Sequence, residues 1–240
     1  MSKTSKIYIN QWNESYLRND NCILYPKEEV VKFLNRFVRK RIAQDQFIEN
    51  QDFLSRSSSV AISSTSHQKK ALDYGCGVGA ATQLLTDFGF DAYGVDISEQ
   101  AIENAKSIFP EIANSFYLVD GSFIPFEDQF FDIAICESVL DSMHFDLAKI
   151  LLKELDRVTQ HYLFASFISG DNSDYYREYA SEIIVDSQHE KGTIQSYFNW
   201  EKIKEAIKNT SFKIKWAHLV TEESLINQYR YARYYIVFEK

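Results

Sequence analysis

The apolar positions of this chain follow a helical period first, then a strand and helix alternation, and finally a strand period alone. Val30, Phe33, Leu34, Phe37, Val38 and Ile42 recur at helical spacing, with acids at the start of the segment and bases at its end, which predicts a helix over 28–42. Residues 55–70 are polar, with serine and threonine runs at 57–59 and 63–66, and predict a flexible connection. From Ala71 short apolar runs alternate with helical patterns. Strands are expected at 71–74, 92–95, 116–119, 131–136 and 162–167, and helices at 80–88, 99–108 and 147–158. Such alternation implies an α/β fold, a doubly wound and mainly parallel sheet with helices on both faces. After a helix at 200–208, strands at 212–219 and 231–238 have no helix between them, so an antiparallel pair at one sheet edge is expected.

One domain over 1–240 accounts for this order: an N-terminal helical segment (1–54), the serine-rich connection (55–70), a core (71–168), an insertion (169–199), and a C-terminal helix with a strand pair (200–240). Composition narrows the setting. With 45% hydrophobic and 25% charged residues the chain can bury a sizeable core. The N-terminus has no apolar signal-peptide core, no run is long enough to span a bilayer, and Cys22, Cys76 and Cys136 form no paired spacing. A cytoplasmic location without membrane contact is the expectation. The formal charge of −8 argues against bulk nucleic acid as a partner, since phosphate backbones are held by clustered Lys and Arg. The one basic cluster, Arg36, Arg39, Lys40 and Arg41, reads as a charged helix face. No His, Asp and Glu set shows ligand spacing, so no metal is expected.

The chemistry concentrates at strand ends. Asp73-Tyr74-Gly75-Cys76-Gly77-Val78-Gly79 follows a strand and precedes a helix, and Asp96 ends the next strand. Glycines permit the sharp turn and close backbone approach to a ligand, helix-start amides favour an anionic group, and an acid on the second strand can accept from ribose hydroxyls. Asp120-Gly121-Ser122 follows the third strand, and Glu137 the fourth.

On these residues the chain resembles the class I, Rossmann-like, seven-stranded S-adenosylmethionine-dependent methyltransferases. Asp73, Gly75, Gly77 and Gly79 match the family's first motif. The resemblance covers about residues 70–167 and implies S-adenosylmethionine as cofactor. Asp73, Gly75, Cys76, Gly77, Gly79 and Glu137 would then lie beside its methionine part, with Asp96 on the ribose. Ile97, Asp120, Gly121 and Ser122 would lie at the adenine.

A nicotinamide-dependent oxidoreductase also uses a glycine-rich first turn and a second-strand acid, and Ala80 satisfies the permissive form of its fingerprint. Asp73 before the turn, the third glycine and the Asp120 loop favour the methyltransferase. A non-catalytic scaffold that keeps the fold, and a decarboxylating or aminopropyl-transferring enzyme using a related cofactor, are the remaining alternatives. The methyl acceptor is expected to be a small molecule or a glycan hydroxyl, enclosed by the N-terminal segment, the exit of the fourth strand and the insertion 170–199. Trp12, Tyr16, Tyr25, Tyr175, Tyr176, Tyr179, Tyr197 and Phe198 are the aromatic residues of these parts. Of the groups after the fourth strand, Glu137, Asp141 and His144, the imidazole of His144 is the candidate base, because histidine titrates near neutral pH.

Overall fold

The computed structural model describes residues 3–57, 68–170, 182–226 and 230–240. The chain begins with α1 (Lys3–Leu17) and α2 (Glu28–Phe33), the latter running into a wide π-helical turn (Leu34–Val38). A hairpin, β1 (Arg39–Ala43) and β2 (Gln46–Glu49), and a short α3 (Gln51–Ser57) follow. The alternating part runs β3 (Lys70–Tyr74), α4 (Ala80–Asp87), β4 (Asp91–Asp96), α5 (Glu99–Ile108), β5 (Phe116–Leu118), β6 (Phe131–Cys136), α6 (Phe145–Val158) and β7 (Thr159–Ile168). A small hairpin, β8 (Glu182–Ile184) and β9 (Ile194–Ser196), precedes α7 (Trp200–Ile207), β10 (Lys213–Glu223) and β11 (Arg230–Glu239).

Seven strands form the main sheet in the order β10-β11-β7-β6-β3-β4-β5. From β5 across to β7 all pairings are parallel, while β11 runs antiparallel to both β7 and β10. This is the doubly wound sheet with a C-terminal antiparallel pair that the alternation implied. The side-chain period of two explains the two-sided burial. Leu72 and Tyr74 of β3 point into one apolar cluster with Leu151 and Leu155 of α6 and Ile203 of α7. Ala71 of β3 and Ile133 and Ile135 of β6 point into the other, with Val30 and Phe33 of α2 and Leu85 of α4. Strand order reverses between β3 and β6, and the crevice above their carboxyl ends is where such sheets bind ligands.

The segment 28–42 departs from the expected helix. Asn35 donates from Nδ2 to the Val31 carbonyl at 2.9 Å and accepts the Arg41 amide at 3.3 Å, and the chain turns into a hairpin with Asp45 at φ 56°. Ile42 consequently lies exposed on β1. The basic cluster is no helix face: Arg39 is buried, donating to the Phe88 carbonyl at 3.0 Å, pairing with Glu49 at 3.0 Å and lying over the Phe90 ring. Burial of a paired, stacked guanidinium outweighs the helical spacing of the apolar residues around it. Of the expected flexible connection, residues 55–57 complete α3, 58–67 lie outside the described residues, and Lys70 begins β3.

Candidate active site

The glycine-rich turn leaves β3 under backbone control. The amides of Gly75 and Cys76 both donate to the Val95 carbonyl, at 2.8 and 3.0 Å, tying the turn to the end of β4. Asp96, the last residue of β4, accepts the Gly77 amide on Oδ2 and the Ser98 amide on Oδ1, each at 2.9 Å. Gly79 sits at φ 90° as the N-cap of α4, and a Cβ there would lie 2.6 Å from the Phe116 ring. It shapes the start of α4 and lies on neither cavity wall described below.

Two cavities open at this end of the sheet. The first, about 850 Å³, is walled by Tyr74, Asp96, Ile97, Asp120, Gly121 and Ser122 on the β4–β5 side. Tyr8, Ile9, Trp12 and Tyr16 of α1 face them, with Val139, Met143 and Leu147 following β6. The second, about 1460 Å³, holds Asp73, Cys76, Gly77 and Glu137, residues 21–27, parts of the segment 189–195, and Tyr231 and Arg233 of β11. Trp12, Tyr16, Gly75, Ser138 and Ser142 belong to both walls, so the two spaces adjoin.

Electrostatics differ along this surface. Asp96 is buried, and desolvation raises its pKa although the Ser98 and Gly77 amides pull it back. Asp73 is also buried; desolvation lifts it to about 7 against the Thr82 hydroxyl, which donates to its Oδ2 at 2.7 Å. The charges of Asp96 and Glu137 add to the rise. Asp120 behaves oppositely, its pKa lowered by the Ser122 amide and then the Phe123 amide, both of which donate to Oδ1. Glu137 accepts on Oε1 from the Ser138 and Ser166 hydroxyls, at 2.7 and 3.2 Å, with the Lys27 ammonium 3.6 Å away. Ser138 is held at φ 59°, a left-handed conformation that costs a non-glycine residue about 1 kcal/mol or more. Its amide donates to Ser166 Oγ at 3.0 Å, which fixes the strained turn where both cavities meet.

The structure does not bring His144 to either wall. It is the N-cap residue of α6, half exposed, with Nδ1 2.6 Å from Glu182 and Nε2 2.8 Å from the Tyr8 hydroxyl. Asp141 likewise serves the fold: it is buried, accepts the Ile168 amide at 2.7 Å and pairs with Arg233 at 2.8 Å. Among the aromatic residues of the variable parts, Trp12, Tyr16 and Tyr25 line the cavities. Tyr197 and Phe198 are buried, with Phe198 packed on Phe167 at 4.8 Å. Tyr175, Tyr176 and Tyr179 lie outside the described residues. Sequence reading passed over Lys27, Tyr231 and Arg233. An arginine inside the apolar strand Tyr231-Ala232-Arg233-Tyr234-Tyr235-Ile236 was the available signal for the last.

Residues 72–162 match the family model of the methyltransferase domain. Over this segment, from β3 into β7, the chain is similar to the methyltransferase domain family. A curated relative, 2-methyl-6-phytyl-1,4-hydroquinone methyltransferase of Synechocystis sp., is 33% identical over 91 residues, 37% of this chain and 28% of that protein. The match thus spans little more than a quarter of the relative's length. Among solved structures, a protein of Methanosarcina mazei described as a SAM-dependent methyltransferase superposes with a TM-score of 0.62 at 20% identity, over 73% of this chain and 94% of that one. Magnesium protoporphyrin IX methyltransferase of Synechocystis, solved with S-adenosylmethionine bound, superposes at 0.51 and 18% identity, over 72% and 70%. These likenesses share the sheet described here.

The residues of the matched segment fit S-adenosylmethionine. Asp96 and Asp120 stand on one wall of the first cavity, and each carboxylate keeps lone pairs beyond those given to its own turn. The matched segment also ends short of β11 and starts after α1, so the cavity walls those elements supply belong to the variable part of the chain. Among the described residues no helix is long and apolar enough to cross a membrane.

Proposed function

We propose that the protein transfers a methyl group from S-adenosylmethionine to a small-molecule acceptor seated in the larger cavity. The observation that carries this reading is the junction of the two cavities at Gly75, Ser138 and Ser142, above the point where strand order reverses. In this reading Asp96 takes the ribose hydroxyls, while Ile97, Asp120, Gly121 and Ser122 hold the adenine. The turn Gly75-Cys76-Gly77, with Asp73 and Glu137, borders the methionine part. The aromatic residues on the wall of the larger cavity and the small-molecule names of the hydroquinone and protoporphyrin methyltransferases support a compact acceptor. A glycan hydroxyl is the second acceptor class, since Trp12 and Tyr25 could stack on a sugar.

The cofactor, when bound, supplies an activated methyl on a sulfonium. The chain's own work is then to hold the acceptor atom in line at about 3 to 3.5 Å, and to exclude water with α1. Asn13 anchors α1 over the site, accepting from the Ser98 hydroxyl at 2.7 Å. The test is calorimetric titration with S-adenosylhomocysteine and, separately, NAD, followed by transfer of labelled methyl to a panel of small hydroxylated compounds. Binding of the homocysteine compound and not NAD is the expected result. Binding of NAD alone would transfer the site to the oxidoreductases. Cofactor binding with no transfer to any compound would favour the scaffold.

A further inference from the structure

The larger cavity has a buried cationic donor that its own neighbours do not use up. Arg233 is 5% exposed, yet it belongs to the cavity wall. Its Nη1 donates to Asp141 Oδ2 at 2.8 Å and to Ser166 Oγ at 2.9 Å, and its Nε donates to the Tyr231 hydroxyl. Among the described residues Nη2 has no hydrogen-bond partner. Nη2 reaches solvent at the cavity wall, so a bound anionic group would take the place of water there.

The placement points to the methyl acceptor. Arg233 pairs in register with Ile168, the last residue of β7, at the same end of the sheet as the glycine turn, with β7 and β6 between its strand and β3. The nucleoside acids Asp96 and Asp120 lie on the opposite side of β3. Other charged groups on the wall already have partners: Lys27 with Glu137, Glu190 with His189 at 3.7 Å, and Asp73 with Thr82. Asp141, Ser166 and Tyr231 lock the guanidinium plane, so the one remaining nitrogen, Nη2, is pre-oriented to donate to an anionic oxygen. Tyr231 and Tyr25 on the same wall supply faces for a flat ring.

We propose that Arg233 anchors the acceptor of the proposed methyl transfer, and that this acceptor is a planar molecule bearing a carboxylate that accepts from the free Nη2 of the guanidinium. The assignment rests on the methyltransferase reading above and adds the acceptor's chemical class. The carboxylate is the handle; the methyl-accepting atom is elsewhere on the ring.

Binding of benzoate and 2-naphthoate, each against its primary amide, to the full chain saturated with S-adenosylhomocysteine tests this by ligand-observed NMR and calorimetry. The carboxylates are expected to bind at least tenfold more tightly than the amides. The double variant Arg233→Met with Asp141→Asn removes both buried charges together. It should abolish that preference while leaving affinity for S-adenosylhomocysteine within threefold. Arg233→Lys, which keeps the charge but not the fork, should retain part of the preference. Equal binding of acids and amides by the wild-type chain overturns the proposal without any variant. So does a tenfold loss of S-adenosylhomocysteine affinity in the Arg233→Lys variant, which would assign the arginine to the cofactor. If the wild-type chain fails to bind S-adenosylhomocysteine at all, it is the methyltransferase reading that falls.

Discussion

Asp96 Oδ2 accepts the Gly77 amide at 2.9 Å, so the acid at the end of β4 holds the glycine turn at the end of β3 in place. The same carboxylate takes the Ser98 amide at the start of α5. Asp96→Ala should therefore act twice. Losing charge-assisted bonds to a bound ribose costs on the order of 1.5 to 3 kcal/mol, so affinity for S-adenosylhomocysteine should fall at least tenfold. Leaving two buried amides without an acceptor should also lower stability by about 1 to 3 kcal/mol. Calorimetric titration and urea unfolding read the two effects separately. Unchanged cofactor affinity in a folded variant would remove Asp96 from the site.

Gly77 and Tyr16 give a second expectation. Gly77 lies at φ 53°, and a Cβ there would sit 2.7 Å from the Tyr16 hydroxyl of α1. Gly77→Val must strain the turn and push α1 outward, so cofactor affinity should fall by tenfold or more in a folded but less stable protein. Adding Tyr16→Ala would relieve the clash without relieving φ. Partial recovery of affinity in the double variant, measured by titration, separates the crowding of α1 from the backbone strain.

Asp73 sets a pH dependence. Its folded pKa, about 7, lies above the ordinary value near 3.9, so the folded state keeps a proton that the unfolded chain has released between those pH values. The contribution to stability is fully present below about pH 4 and is lost as pH rises through about 7. Above that the carboxylate is charged and buried. Asp73→Asn, which can still accept from Thr82, removes the ionisation. The variant should gain on wild type progressively from about pH 4 to pH 7 and level off above that, by at most about 4 kcal/mol. Denaturant midpoints across that range test it. A constant difference between the two proteins would mean that Asp73 does not titrate in this window.

The order of strands and helices, the sheet's edge pair and the glycine turn were legible because each rests on local chemistry. Periods of two and of 3.6 residues locate β6 and α5, and Ser98, which accepts the Ala101 amide at 3.1 Å, marks the start of α5. What escaped depends on distant partners. Nothing near Arg39 says that Phe88, 49 residues on, offers its carbonyl, and without that contact the segment 28–42 reads as one helix. Lys27, Tyr231 and Arg233 meet only when α2 and β11 close on the same crevice, although Tyr231 and Arg233 share a strand face by their spacing of two.

His144 shows the same limit at the level of chemistry. Its place after β6 and its imidazole made it the candidate base, but its ring nitrogens face Glu182 at 2.6 Å and the Tyr8 hydroxyl at 2.8 Å, and it lies on neither cavity wall. To take a proton from an acceptor hydroxyl it would have to give up one of these bonds and turn past Met143, which does line the smaller cavity. A clamp between α1 and β8 is the role its contacts describe, since Glu182 also accepts the Phe145 amide at 2.8 Å. His144→Gln should therefore leave single-turnover methyl transfer within threefold of wild type at every pH when cofactor is saturating. Its measurable effect should be on α1: a lower melting temperature, and a weaker hold on S-adenosylhomocysteine because Tyr8 is part of that cavity's wall. A loss of about a hundredfold or more in the single-turnover rate, with cofactor affinity intact, would return the imidazole to the reaction. Either result also bears on the acceptor, because an acceptor that needs no base at His144 must be activated by a group already on the larger cavity's wall, or arrive with its nucleophile deprotonated.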